Sequence, residues 1–153
     1  MTTRSNQESA VRFVVIEDDK NDRDLLARQL QKSSLAYHVM FLPDGKAGLN
    51  FLSNLPLATA GCDLIAIFLD LRLPGMGGVD LLREIRKMPL VENTPVIIMT
   101  SSLDPRDYEA CQTLKVSAFI PKPVTFYLFS KAIMCLPHFA ASRSGKLMMS
   151  HLE

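Results

Sequence analysis

Two periods of apolar residues alternate along the chain. Val11 to Ile16 is rich in apolar β-branched residues and predicts a buried strand. From Asp22 to Lys32, Leu26 and Leu30 stand one helical turn apart with charges between them, which predicts a helix. A short strand follows over His38–Leu42, stopped by Pro43-Asp44-Gly45, and a helix over Lys46–Leu55 sets Leu49 and Leu52 on one face. Leu64 to Leu69 is the longest apolar run and predicts a central strand. Val79, Leu82, Ile85 and Met88 recur every third residue, so an amphipathic helix is expected there, ending at Pro89. Pro95–Met99 is a fourth strand. Asp104-Pro105 opens the fourth helix, with Asp as N-cap and Pro at its first position. Ala118–Ile120 is a fifth strand, and Phe126–Leu136 a last helix stopped by Pro137. Strands alternating with helices in this way predict an α/β protein with a parallel sheet covered on both faces.

Composition narrows the picture. The 153 residues are 48% hydrophobic and 22% charged, enough to bury one core, with residues 11–136 as the expected domain. The polar segment 1–10 and a tail over 137–153 flank it. A net charge of +1 excludes the broad basic field of a dedicated nucleic-acid binder. No apolar run is long enough to span a membrane, and Met1–Ala10 has no apolar core of a secretory signal, so a cytoplasmic protein is expected. Cys62, Cys111 and Cys135 form no C-x-x-C pair, and His38, His138 and His151 are scattered, so neither a disulfide framework nor a zinc site is expected.

Chemistry in a parallel α/β sheet gathers where the carboxyl ends of the strands leave the core. Glu17, Asp18 and Asp19 follow the first strand, Asp70 the third, and Thr100, Ser101 and Ser102 the fourth; Pro121-Lys122-Pro123 ends the fifth. One such residue is more often a helix cap than a functional group. Four strand ends carrying complementary chemistry point to a site. Clustered carboxylates repel and need a cation, and hard oxygen donors suit Mg²⁺. A lysine and a hydroxyl opposite would hold phosphate oxygens, as in phosphoryl transfer. Gly75-Met76-Gly77-Gly78 is not a dinucleotide fingerprint, because the position that would need the last glycine is Asp80; a loop requiring positive φ explains it better.

Four segments carry a family resemblance: Val14-Val15-Ile16-Glu17-Asp18-Asp19, Leu69-Asp70-Leu71-Arg72-Leu73-Pro74-Gly75-Met76-Gly77-Gly78, Ile98-Met99-Thr100-Ser101 and Phe119-Ile120-Pro121-Lys122-Pro123. In this order, each at a strand end, they resemble the receiver domains of two-component response regulators. The resemblance runs from about Arg12 to Leu136 and implies a flavodoxin-like, doubly wound (βα)₅ fold with strand order 2-1-3-4-5. It implies that Asp70 takes a phosphoryl group from a phosphohistidine. Glu17, Asp18, Asp70 and the backbone carbonyl of Arg72 would hold Mg²⁺, and Thr100 and Lys122 would contact phosphoryl oxygens. A cis peptide would precede Pro123. Thr100 and Phe119 would form the family's switch pair, although Phe119 reads equally as a plain core aromatic. Departures from the family pattern are Gly77, where an acidic residue is common, and Arg72 and Ser102, at positions that tune phosphoryl lifetime. Asp19 is expected outside the metal shell.

The resemblance also implies a sensor histidine kinase as partner; the length and the connection Leu55–Asp63 are similar to receivers paired with phytochrome-type or hybrid kinases. About 17 residues follow the last helix, too few for a helix-turn-helix, so no direct DNA binding is expected. Tyr108, Tyr127 and Leu128 leave an apolar surface on the fourth and fifth helices, readable as a homodimer or partner face or as scattered surface residues. The competing function is a phosphorylation-independent binding module on a receiver scaffold. A Mg²⁺-dependent phosphatase is disfavoured, because Arg72 occupies the place of its usual second acid. The chain is expected to catalyse its own phosphotransfer, and at most its own dephosphorylation, and to turn over no separate substrate.

Overall fold

A computed structural model describes residues 11–33, 38–55, 64–101 and 104–136. The segments 1–10 and 137–153, the connection 56–63 and Ser102 lie outside the described residues. Five parallel strands form one sheet in the order β2-β1-β3-β4-β5, the flavodoxin-like arrangement. They are β1 (Phe13–Ile16), β2 (Val39–Leu42), β3 (Ala66–Asp70), β4 (Val96–Thr100) and β5 (Ala118–Pro121). Between and after them run α1 (Lys20–Leu30), α2 (Gly45–Ser53), α3 (Gly78–Ile85), α4 (Pro105–Thr113) and α5 (Phe126–Met134). No helix among the described residues is long and apolar enough to cross a membrane.

The central strands read as continuous apolar runs because both their faces are buried. Phe13, Val15, Phe68 and Met99 face the layer of α1 and α5, where Leu26, Leu30, Phe129 and Ile133 meet them. Val14, Ile16, Ile67, Leu69 and Ile98 face the opposite layer, with Leu52 of α2, Leu81, Leu82 and Ile85 of α3 and Cys111 of α4. Phe129 stacks on Phe68 at 4.3 Å between centroids and meets Phe13 edge-on at 5.9 Å, an arrangement favoured by the ring quadrupoles.

Element ends depart from the pattern in informative places. β3 begins at Ala66 rather than Leu64; Leu64 and Ile65 are buried, but the ladder to β4 pairs Ile67 with Val96 and runs on to Asp70 opposite Met99. Asp70 is therefore the last residue of the strand, held by its pairing. α1 starts two residues before Asp22 because the Asp19 carboxylate caps it, accepting from the backbone N–H groups of Asn21 and Asp22 at 2.8 and 3.2 Å. α3 stops at Ile85, short of Pro89. Lys87 and Met88 close tighter i→i−3 turns, consistent with the steric bar that a proline imposes on the residue before it.

Candidate functional site

Strand order reverses between β1 and β3, and the crevice at their carboxyl ends is where ligands bind in this architecture. Glu17 leaves β1 directly and is only 3% exposed, while Asp18 next to it is exposed. Arg23, one turn into α1, ties this loop: its Nη1 donates to the Glu17 carbonyl at 2.7 Å and to the Asp18 carbonyl at 2.9 Å. Asp19 donates its backbone N–H to Glu17 Oε2 at 3.1 Å and caps α1 with its carboxylate.

Asp70 ends β3 and is 2% exposed. Its Oδ1 accepts the backbone N–H of Arg72 at 2.9 Å, so the chain turns around the carboxylate immediately after it. Gly75 takes φ +72°, the left-handed turn expected of the glycine cluster. Gly78 has a different reason. A Cβ there would stand 2.5 Å from Leu71 Cα and 2.6 Å from the Asp70 carbonyl oxygen. The N-terminus of α3 thus lies directly against the strand end that carries Asp70.

Lys122 reaches into the crevice from the end of β5. Its backbone N–H donates to the Thr100 carbonyl at 3.1 Å, fastening it to the end of β4, and the Lys122–Pro123 peptide is cis. The ammonium lies 2.8 Å from Asp70 Oδ2, 3.0 Å from Glu17 Oε1 and 3.3 Å from Asp22 Oδ2. Burial disfavours its charge, but hydrogen bonds and attraction from Asp70 and Glu17 outweigh that and raise its pKa. Burial also pushes the Glu17 carboxyl up, from 4.5 to about 7, with Asp70 adding to the rise and Lys122 opposing it. One ammonium does not balance the negative charge packed here.

The expected residues fall in three groups. Glu17, Asp18 and Asp70 come together, each offering an oxygen within 4.8 Å of the others, and Lys122 bonds to two of them. Thr100, 9% exposed, ends β4 beside β3, and the exposed Arg72 follows the strand end of Asp70. Phe119 on β5 pairs with Ile98, two residues before Thr100 and on the same face of the sheet. It is half-buried and stacks on Tyr108 of α4 at 5.1 Å between centroids, with Tyr108 46% exposed. It is thus less enclosed than a plain core aromatic. Sequence reasoning missed Asp22 and Arg23, which read as the solvated face of a helix. Their spacing of four and five residues after Asp18, in the first turn of a helix that leaves the acidic loop, was the available signal.

The donor set fits a divalent cation. Its ligand atoms are all carboxylate oxygens, the hard donors that Mg²⁺ and similar ions take, and the excess negative charge around Glu17 is what such a cation offsets. The response regulator receiver domain matches residues 13–134, and the chain belongs to this family, the receivers of two-component signalling. It is 30% identical to the response regulator Rcp1 of Synechocystis sp. over 122 residues, 80% of this chain and 82% of Rcp1. It is also 30% identical to the sensory/regulatory protein RpfC of Xanthomonas campestris pv. campestris over 117 residues, 75% of this chain but only 15% of RpfC. Among solved structures, the bacteriophytochrome response regulator RtBRR superposes with a TM-score of 0.71 at 31% identity, covering 92% of this chain and 90% of its own. A Mn²⁺-bound form of Rcp1 superposes with a TM-score of 0.64 at 28% identity, covering 80% and 89%.

Proposed function

We propose that the chain is the phosphoacceptor of a two-component relay, with Asp70 as the phosphorylated residue. The observation that carries the reading is the Lys122 ammonium 2.8 Å from Asp70 Oδ2, in a crevice where Glu17 and Asp70 are almost fully buried. A carboxylate oxygen of Asp70 attacks the phosphorus of a phosphohistidine. The new O–P bond forms as the P–N bond breaks, and the imidazole leaves with the bonding electrons and takes up a proton. The products are an acyl phosphate on Asp70 and free histidine. Lys122 neutralises a phosphoryl oxygen, and the Thr100 hydroxyl donates to another. Arg72 N–H holds Asp70 Oδ1 and so orients the carboxylate. When bound, a Mg²⁺ held by Glu17, Asp18, Asp70 and the Arg72 carbonyl supplies positive charge for the phosphoryl oxygens. The reaction needs no further enzyme, since the acceptor's own residues do the positioning.

The donor on this reading is a cognate histidine kinase, and similarity to the bacteriophytochrome response regulator RtBRR supports a phytochrome-type one. The output surface is the side of α4 and α5, where Tyr108 and Tyr127 are 46% and 62% exposed, and Phe119 under Tyr108 couples it to β5. A homodimer through this side would show in solution as a doubled light-scattering mass that Tyr108→Ala returns to one chain.

The direct test is an intact mass after incubation with Mg²⁺ and acetyl phosphate or phosphoramidate, with Asp70→Asn in parallel. Gain of one phosphoryl group by the wild type alone is expected. No gain from either donor, in a folded protein that binds Mg²⁺, overturns the reading in favour of a phosphorylation-independent binding module.

A further inference from the structure

Lys122 has a third carboxylate partner that the proposed phosphotransfer leaves unexplained. Asp22 lies in the first turn of α1, and its Oδ2 stands 3.3 Å from the ammonium. The three partners differ in depth: the side chains of Asp70 and Glu17 are 2% and 4% exposed, and that of Asp22 is 30%. Asp22 therefore stands at the rim. It is also outside the group of Glu17, Asp18 and Asp70 whose oxygens gather closely enough for one cation. A divalent ion would offset the charge of the buried carboxylates and leave Asp22 as the lysine's uncompensated partner.

We infer that Asp22 is a positioning residue that holds the Lys122 ammonium toward the mouth of the crevice and competes for it with the arriving phosphoryl group. The inference deepens the phosphoacceptor reading and rests on it. An ammonium has three donors and no acceptor; here it bonds to Glu17 and Asp70, while Asp22 faces it as an ion pair without a hydrogen bond. A phosphoryl oxygen arriving at the ammonium competes with these carboxylates. Asp70 becomes the acyl phosphate and Glu17 is fully enclosed, so the partner free to give way is the rim carboxylate of Asp22. The same negative charge opposes the approach of a dianionic donor. Asp22 thus sets how readily small phosphodonors load Asp70.

The test uses Asp22→Asn and Asp22→Glu in the full chain at saturating Mg²⁺. With acetyl phosphate at low ionic strength, Asp22→Asn should load about three- to tenfold faster than wild type, chiefly through a lower half-saturating concentration. The gap should close toward 0.5 M salt, roughly where screening removes interactions between partly exposed charges. Asp22→Glu should behave as wild type. The second readout does not involve the reaction: the ¹⁵Nζ resonance of Lys122 should shift in Asp22→Asn, and more with Mg²⁺ than without. An unchanged or slower loading rate in Asp22→Asn, a rate gain that ignores salt, or an unmoved Lys122 resonance overturns the inference while wild-type loading leaves the phosphoacceptor reading standing. If the wild type itself takes up no phosphoryl group, that reading falls and this one falls with it.

Discussion

Arg23 holds Glu17 by its backbone rather than by its carboxylate. A single guanidinium nitrogen donates to the carbonyls of Glu17 and Asp18, so the side chains of both acids stay available to the crevice. An arginine paired with either carboxylate would cancel the charge that a cation needs. The arrangement supports the proposed metal ligands from behind, as outer residues do in metal sites, where their loss typically weakens affinity by about 10–100-fold. Arg23→Gln should therefore reduce Mg²⁺ affinity by about tenfold in a calorimetric titration, with the fold preserved. Arg23→Lys, which keeps the charge but lacks the fixed planar donor geometry of the guanidinium, should recover only part of the loss.

Glu17 makes the metal-free protein sensitive to pH in a defined direction. Its carboxyl is raised from 4.5 to about 7, chiefly by burial. A group with a raised folded-state pKa binds its proton more tightly when folded, so its contribution to stability is complete below about 4.5 and is lost as pH rises through about 7. Urea midpoints of the metal-free protein should fall between pH 5 and pH 7.5. Glu17→Gln, which cannot titrate, should flatten that slope. A wild-type slope equal to that of the glutamine variant would show that Glu17 ionises normally in the folded chain.

Gly78 links the fold to the site through contact rather than through φ. Its N–H donates to the Leu71 carbonyl at 3.0 Å, and an added Cβ would strike backbone atoms of Asp70 and Leu71, which have no rotamer to change. Gly78→Ala should destabilise by about 2–3 kcal/mol, the upper part of the overpacking range, read as a lower urea midpoint. Because the displaced atoms belong to Asp70 and Leu71, Mg²⁺ affinity should fall as well. Gly77→Ala is the contrasting case. Its nearest approach is 3.8 Å, to the Asp80 side chain, and stability should stay within about 0.5 kcal/mol of wild type.

The strand ends were legible because a parallel sheet forces chemistry to one edge: polar residues that interrupt apolar runs can go nowhere else. Glu17, Asp70, Thr100 and Lys122 are legible in this way. Asp22 and Arg23 are not, because where they point depends on the rotation of α1 about its axis, which is set by the Asp19 cap and by Leu26 and Leu30, four and eight positions after Asp22 on the same stripe of the helix. The start of β3 was misplaced because Leu64 and Ile65 are buried like strand residues, and burial does not distinguish a strand from the chain leading into it. Phe119 was left open between two readings; its half-exposed stack on Tyr108 depends on where α4 lies, which hydrophobic period alone does not specify.

The C-terminus of α4 carries a residue against its conformational preference. Lys115 has φ 60°, the left-handed region that glycine usually fills after a helix. Two bonds fix it there: Lys115 N–H to the Gln112 carbonyl at 3.0 Å and Val116 N–H to the Cys111 carbonyl at 3.2 Å, the paired closure of a Schellman motif. Arg86 adds a third restraint, because its guanidinium donates to the carbonyls of Leu114 at 2.8 Å and Lys115 at 3.2 Å and also to those of Glu92 and Thr94. None of these bonds uses the side chain of Lys115. Lys115→Gly would keep every one of them and remove the strain of a left-handed non-glycine residue, about 1–2 kcal/mol, offset in part by the greater freedom of glycine in the unfolded chain. The variant should be more stable by about 0.5–1 kcal/mol, seen as a higher urea midpoint at unchanged slope. Arg86→Ala should act in the opposite direction, since it leaves four carbonyls to find other donors, and hydrogen exchange at Val116 and Ser117 should accelerate in that variant and not in Lys115→Gly.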